Sequence, residues 1–309
     1  MSPRRAALPY AAFVGLALIW GVSFLLIKLA IQDMSPQALL LIRSASGCVA
    51  LGVIVLIMRR RLFSPGWRGY LFGFAFMAVT NAVIPWTSIA WGEERISSGL
   101  ASILNSTTTL WTAGLVYWVM PSERPTPLNY LGVVIGFAGV VILVFPDIAA
   151  HGITGDALGA LAVVLASLSY SVNALYQRRK MRSVSVLDVS LGQLIFSTLF
   201  ALPIAATTLP QVHVRALSLA AVIILGAAGT GVAYLLYYYV MNSLGAVRAA
   251  GVTFLVPVTA VFWGVALLHE TLSITIVAGM VVILAGIVLT NFRRTRPLDV
   301  VADSDSAAA

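Results

Sequence analysis

The sequence predicts an all-α polytopic membrane protein, with ten transmembrane helices arranged as two inverted five-helix repeats. Three observations lead there: the hydropathy, the distribution of lysine and arginine, and a match of the chain with itself. Of the 309 residues 60% are hydrophobic and only 10% are charged, and the mean hydropathy is +0.97. A soluble domain carries roughly 25% charged residues to cover its surface. Here lipid must supply the cover.

A hydrocarbon core of about 30 Å takes roughly 20 helical residues to cross. Apolar runs of that length fall at residues 8–30, 36–58, 68–91, 96–119, 127–146, 157–178, 187–208, 216–242, 247–268 and 272–292. The run from Leu8 to Ala30 is too long for the apolar stretch of a signal peptide, so it reads as a retained first helix. The connections are short and hold turn formers, among them Ser64-Pro65-Gly66, Pro121, Pro125 and Pro127. The tail 297–309 is small, polar and acidic, with Asp299, Asp303 and Asp305, and is expected to be disordered.

A net charge of +8 would admit a nucleic-acid binder on charge alone. The distribution argues against it. Basic residues cluster between apolar runs, as Arg59-Arg60-Arg61, Arg178-Arg179-Lys180 and Arg293-Arg294. Counted by side, fifteen Lys and Arg fall on one face of the membrane and two, Arg95 and Arg215, on the other, while Lys28 and Arg43 lie within segments. The positive-inside bias then places both termini in the cytoplasm of a multi-pass protein of the cell (inner or plasma) membrane, which only an even number of crossings satisfies. One cysteine, Cys48, makes no intrachain disulfide, and His151, His213 and His269 lie near segment ends with no metal-ligand spacing. No metal, cofactor or catalytic residue is expected.

Sliding the chain along itself pairs its two halves. At an offset of about 150, Trp20 meets Tyr170, Lys28 meets Arg178 and Arg43 meets Gln193. Ser98-Gly99 meets Ala250-Gly251, Asn105 meets Pro257 and Trp111 meets Trp263; further on, Glu123 meets Glu270, Gly132 meets Gly279 and Gly139 meets Gly286. The expected units are 8–146 and 157–292. Five helices is an odd number, so the second unit sits upside down relative to the first. Inverted repeats are the mark of secondary transporters, with substrate held near the midplane between the halves; duplication serving stability alone is the competing reading.

The same residues resemble the drug/metabolite transporter superfamily, in its EamA-type branch, over roughly residues 10–292. The resemblance rests on Trp20-Gly21, Pro36 followed by Arg43, Gly245-Ala246 before a helix with Pro257, and His269-Glu270-Thr271-Leu272-Ser273 with Gly279 and Gly286. The Glu-x-x-Thr/Ser element closing each repeat stands at Glu123 to Thr126 and Glu270 to Ser273. It implies a ten-helix inner-membrane carrier of metabolites, often an exporter, working by alternating access. Two features depart from the family: Asn105 stands where the first repeat would show proline, and the loop after Trp118 is longer than its partner. Both leave the substrate class open.

Residues within the segments supply the candidate site. A charge near a helix centre costs about 2.5–3.5 kcal/mol on insertion scales. Arg43 therefore reads as a cavity residue for a carboxylate, a phosphate or backbone carbonyls, with snorkelling to the headgroups as the alternative; for Lys28 snorkelling is favoured. Trp20 and Tyr170 fall mid-helix, where an indole N–H needs a partner, and read as cavity lining against core packing. Asn81, Trp86, Asn105 and Trp111 extend the polar-aromatic theme, and Gln193 is the repeat partner of Arg43. Thr230, Tyr234 and Tyr238 share one helix face, whereas Tyr237 and Tyr239 are expected to pack. Pro85, Pro203 and Pro257 interrupt helices, and Pro85 and Pro257 are the candidate hinges of a gate.

The Asp and Glu residues, including Asp33, Glu93, Glu94, Asp188 and Glu270, all fall near segment ends. The expectation is uniport or exchange down a gradient, with proton coupling disfavoured. An enzyme would need a nucleophile–base constellation inside the membrane, which the sequence does not offer; a channel would show rings of charge or a filter of identical subunits. The reading is a secondary transporter, an exporter, of small organic metabolites such as amino acids or amphipathic compounds. Its partners are that solute and the bilayer, without nucleic acid, and the expected form is a monomer.

Overall fold

Hydrophobic runs joined by short polar turns fold here into a bundle of helices, with no strand among the described residues. The computed structural model describes residues 3–59, 61–119, 126–151, 155–206, 208, 215–244 and 252–291. The predicted connection residues Pro121, Glu123, Pro125 and Gly245-Ala246, and the tail 297–309, lie outside them.

The helices are α1 (Pro3–Ala30), α2 (Pro36–Ile57), α3 (Leu71–Ala78), α4 (Ile84–Glu93), α5 (Ser98–Asn105), α6 (Thr108–Val119), α7 (Pro127–His151) and α8 (Gly155–Lys180). They continue as α9 (Val186–Ala205), α10 (Ala216–Gly226), α11 (Ala233–Leu244), α12 (Val252–Leu268) and α13 (Ile274–Asn291). A short 3₁₀ turn, Trp67–Tyr70, leads into α3. Seven helical stretches among the described residues have the length and apolarity of a membrane crossing, and Val252–Leu268 and Ile274–Thr290 are shorter apolar helices. Large apolar side chains such as Val134, Phe145, Phe262, Ile274 and Val288 point outward. Water would not tolerate so broad an apolar exterior; a bilayer requires it.

Three predicted segments are interrupted. Residues 68–91 are α3 and α4 joined by a π-helical turn, Val79–Val83; residues 216–242 are α10 and α11 joined by another, Ala227–Val232. Residues 96–119 are α5 and α6, separated by turn residues Ser106 and Thr107. That break keeps the segment from reading as one long crossing helix.

Equivalent elements of the halves start alike. Ser35 caps α2 by accepting from the Ala38 N–H at 3.2 Å, and Ser185 caps α9 by accepting from the Asp188 N–H at 3.1 Å. Such caps contribute about 1 kcal/mol each, and they stand at the 150-residue offset of the self-match.

A glycine-lined crossing joins α7 and α13, which run antiparallel. A Cβ at Gly132 would strike the Gly286 carbonyl, and one at Gly139 would meet the Gly279 carbonyl. Repeat mates thus exchange partners, since Gly132 pairs with Gly279, and Gly139 with Gly286, in the sequence match. Asn129 Nδ2 ties the crossing with a 2.7 Å bond to the Thr290 carbonyl. Without apolar driving force between helices in lipid, this kind of backbone approach through glycine is what holds them.

At one end of the bundle the halves are stitched by polar contacts. Arg215 Nε donates to Asp33 Oδ2 at 2.8 Å, and its Nη2 donates to Gln32 Oε1 at 2.9 Å. The Arg215 guanidinium, helped by the Ser218 hydroxyl, holds the Asp33 carboxyl below the usual carboxylate range. A lowered folded-state value means the contribution is complete above the ordinary carboxylate pKa and lost as pH falls through the lowered one. Replacing Arg215 with glutamine is therefore expected to lower the melting temperature modestly at neutral pH. The gap from wild type should vanish in strongly acidic buffer, measured by thermal shift in detergent.

Candidate functional site

The site is built from the middle of α2 outward. Ser44 Oγ donates to the Leu40 carbonyl at 2.7 Å and lies 2.9 Å from Ser197 Oγ of α9, which fixes α2 against α9. This sets Arg43 inward, 8% exposed. Its guanidinium carbon lies 3.9 Å from the centre of the Trp86 ring. A desolvated cation over an indole gains about 2 kcal/mol, well short of the cost of an unpaired buried ion. Among the described residues the guanidinium makes no hydrogen bond, and its Nε is buried without a partner. The side chain is thus placed among the helices rather than on the outer surface of the bundle.

Beside it lies an amide–phenol network. Asn81 Nδ2 donates to Gln193 Oε1 at 3.1 Å, and Gln193 Nε2 donates to the Tyr234 hydroxyl at 3.0 Å. Asn81 Nδ2 is also 3.5 Å from that hydroxyl. Tyr170 of α8 rests against Trp86, and the Arg43 charge is within electrostatic reach of both Tyr170 and Tyr234. Six sequence-predicted residues thus come together: Arg43, Asn81, Trp86, Tyr170, Gln193 and Tyr234. They come from both halves, and Gln193 is the repeat mate of Arg43.

The π turns carry part of this arrangement. Pro85 cannot donate to the carbonyl four residues back, which belongs to Asn81; the chain widens there, and Pro85 opens α4 rather than kinking a continuous helix. Ser169 Oγ of α8 donates to the Thr80 carbonyl at 2.8 Å, satisfying a backbone acceptor at the turn. The second turn has no proline. Its chain passes so close to α2 that a Cβ at Gly226 would strike the Arg43 carbonyl and the Gly47 nitrogen. Thr230 sits in it, buried, with an unpartnered hydroxyl. The two turns fall at similar places of the two repeats, with Asn81 in the first and Thr230 in the second. π turns of this kind gather at functional sites.

Other expectations fare differently. Trp20 packs against Tyr237 at 5.8 Å between ring centres, within an apolar cluster with Leu16, Ala233 and Val252; core packing describes it, and Tyr237 packs as expected. Trp111 stands edge-on to Phe137 at 4.7 Å with its indole N–H unpartnered. Asn105 ends α5 at the helix break, its side-chain carbonyl buried and unpartnered. Neither has a described contact with the Arg43 group. The Tyr238 side chain lies outside the described residues. Pro257 is buried inside a continuous α12. Lys28 does not snorkel: its Nζ donates to the Glu93 carbonyl, and to that of Ile96 at 2.9 Å.

Sequence reading missed the two π turns, the servicing hydroxyl of Ser169 and the burial of Glu93. Signals for the first were present in Pro85 four residues after Asn81, and in the glycines at 226, 229 and 231.

With this geometry in hand, comparison with known proteins is informative. The EamA-like transporter family matches residues 8–145 and again residues 157–292. The uncharacterized transporter YoaV of Bacillus subtilis (strain 168) is 24% identical over 293 residues, covering 92% of this chain and 96% of its own. The uncharacterized inner membrane transporter YedA of Escherichia coli (strain K12) is 24% identical over 277 residues, with 87% and 86% covered. Among solved structures, one crystal structure superposes with a TM-score of 0.65 at 17% identity, covering 92% of this chain and 97% of that one, which speaks to the fold.

Proposed function

The chain belongs to the EamA-like transporter family, and from that premise we propose that it exports small organic metabolites carrying an anionic group, such as amino acids or amphipathic acids. The bundle is read as ten crossings in two inverted five-helix halves, 8–146 and 157–292, with both termini in the cytoplasm. Alternating access proceeds around the Arg43 group.

The observation that carries the reading is Arg43 itself: a guanidinium inside the membrane region, over an indole face, with its Nε buried and without an acceptor among the described residues. Intramembrane charges mark substrate pathways by default. A planar fork of donors matches a carboxylate or phosphate. Trp86, Tyr170 and Tyr234 offer aromatic surface for an apolar body, and Asn81 and Gln193 offer amide contacts. These amides now bond to one another and to Tyr234, so a solute entering would take over bonds already directed into the site.

The test is saturable counterflow in liposomes holding the purified protein. Candidates come from metabolites that accumulate inside a deletion strain. Flux that saturates and accelerates with solute on the far side supports a carrier; flux linear in concentration would sink the alternating-access reading.

A further inference from the structure

Glu93 closes α4 and is 0% exposed, yet neither of its carboxylate oxygens has a hydrogen-bond partner. It is not simply a helix-end residue in the headgroups. Every element packed on it can be surveyed. From α1, Lys28 faces it, but the Lys28 ammonium is engaged by the Glu93 and Ile96 backbone carbonyls. From α2 comes the Arg43 charge, already over Trp86. The turn after α12 brings Glu270, a like charge, whose oxygens accept from the Ser98 N–H at 2.7 Å and the Gly99 N–H at 3.1 Å. The face of α8 against Gly92 offers Gly159 and Val163, which do not titrate. The chain neighbours Glu94 and Arg95 pair with each other at 2.9 Å near the surface, beside a cleft that holds Asp156.

The two acidic groups therefore differ in kind. Glu270 is a carboxyl group whose two oxygens each accept a backbone N–H at the N-terminus of α5. A left-handed φ of 56° at His269 and a 3.1 Å bond from the Glu270 N–H to the Gly264 carbonyl turn it into that position. This contact joins the second half to the first, as does Asp33 with Arg215. Glu93 lies within electrostatic reach of Glu270 and of the Lys28 and Arg43 cations, but among the described residues no donor bonds to its carboxylate oxygens. An ion in such a place carries its full desolvation cost, and a bound proton removes that cost.

We propose that Glu93 is a proton-binding site at the outer end of the bundle, loaded when that end is closed and emptied when it opens. The proposal rests on the transporter reading and its orientation. Closed, the carboxyl holds one proton as an O–H, and Lys28 holds the turn between α4 and α5 by its carbonyls. Opening separates Glu270 from Ser98 and Gly99 and admits outer water. Lys28 leaves the carbonyls and becomes the counter-ion of the carboxylate, while the O–H breaks and the proton passes to that water. Closing reverses the step, with one proton taken up from the outer side. The sequence reading disfavoured proton coupling; this proposal departs from it on the burial of Glu93.

The experiment uses the full-length protein in liposomes without added solute. A Cys48→Ser background carrying Ser98→Cys reports outer opening by labelling with a membrane-impermeant maleimide; Ser98 is buried at the closed contact and its hydroxyl is unpartnered. With the wild-type Glu93, labelling divided by the rate of an exposed cysteine at the same pH, which removes the thiol's own ionisation, should rise at least tenfold as outer pH is raised. With Glu93→Gln it should stay slow and independent of pH, and the infrared carboxylic-acid band of wild type at neutral pH should lose one component. Lys28→Met, which removes the counter-ion of the open form, should shift the labelling curve to higher pH. A Glu93→Gln protein that labels with the wild-type pH dependence, or that leaves the infrared band unchanged, would overturn the proposal. If Glu93→Gln does not fold, an unshifted Lys28→Met curve does the same. Neither readout needs a solute, so failure of counterflow would count against the transport reading alone.

Discussion

Replacing Arg43 with alanine is expected to abolish saturable counterflow while leaving the protein inserted and more resistant to heat. The two effects have opposite signs for one reason. A charged hydrogen bond to a substrate anion contributes about 1.5–3 kcal/mol, so its loss weakens binding roughly 10- to 150-fold. The empty protein meanwhile loses a buried cation that lies over Trp86 and whose Nε has no acceptor among the described residues, and removing an uncompensated charge relieves a cost. Arg43→Lys should recover little transport, because a point charge does not reproduce the planar fork. The measurements are counterflow affinity and melting temperature on the same preparations. A variant that transports like wild type would return Arg43 to a structural role, as would one whose activity and stability fall together.

The second large effect concerns the fold. A side chain at Gly286 would meet the Gly136 backbone and the Gly132 carbonyl, none of which can rotate away as a side chain would. Gly286→Leu must therefore push α7 and α13 apart. Overpacking of this kind costs about 1–3 kcal/mol, a fall of about 3–10 °C in melting temperature. Gly139→Leu should produce a loss of similar size, because the crossing repeats the same contact through its mates. Thermal unfolding of detergent-solubilised protein reads both. If Gly286→Leu melts with wild type, the close approach does not hold the helices.

The membrane character and the repeat were legible because each is written redundantly, in hydropathy over twenty-residue runs and in an ordered set of matches. That six of the candidate residues lie together was legible because a polar or aromatic group mid-helix in lipid must find a partner, and few are available. What a linear reading could not supply was the identity of the partner. Trp20 and Trp86 look alike in sequence, yet Tyr237 receives the first and Arg43 the second. The π turns were hidden because a widened turn changes hydropathy hardly at all. Glu93 was misjudged because distance from a helix end was taken for distance from solvent. Its burial comes from α1, α2, α8 and the turn after α12, none of which its own segment reveals.

The glycine crossing of α7 and α13 has a consequence for how such a chain came to exist. Gly132 touching Gly286, and Gly139 touching Gly279, is the bonding pattern of an isologous dimer written into a single polypeptide. Each half presents the same glycine stripe, and the two meet glycine to glycine. A duplication that kept this stripe in both halves would keep the contact between them.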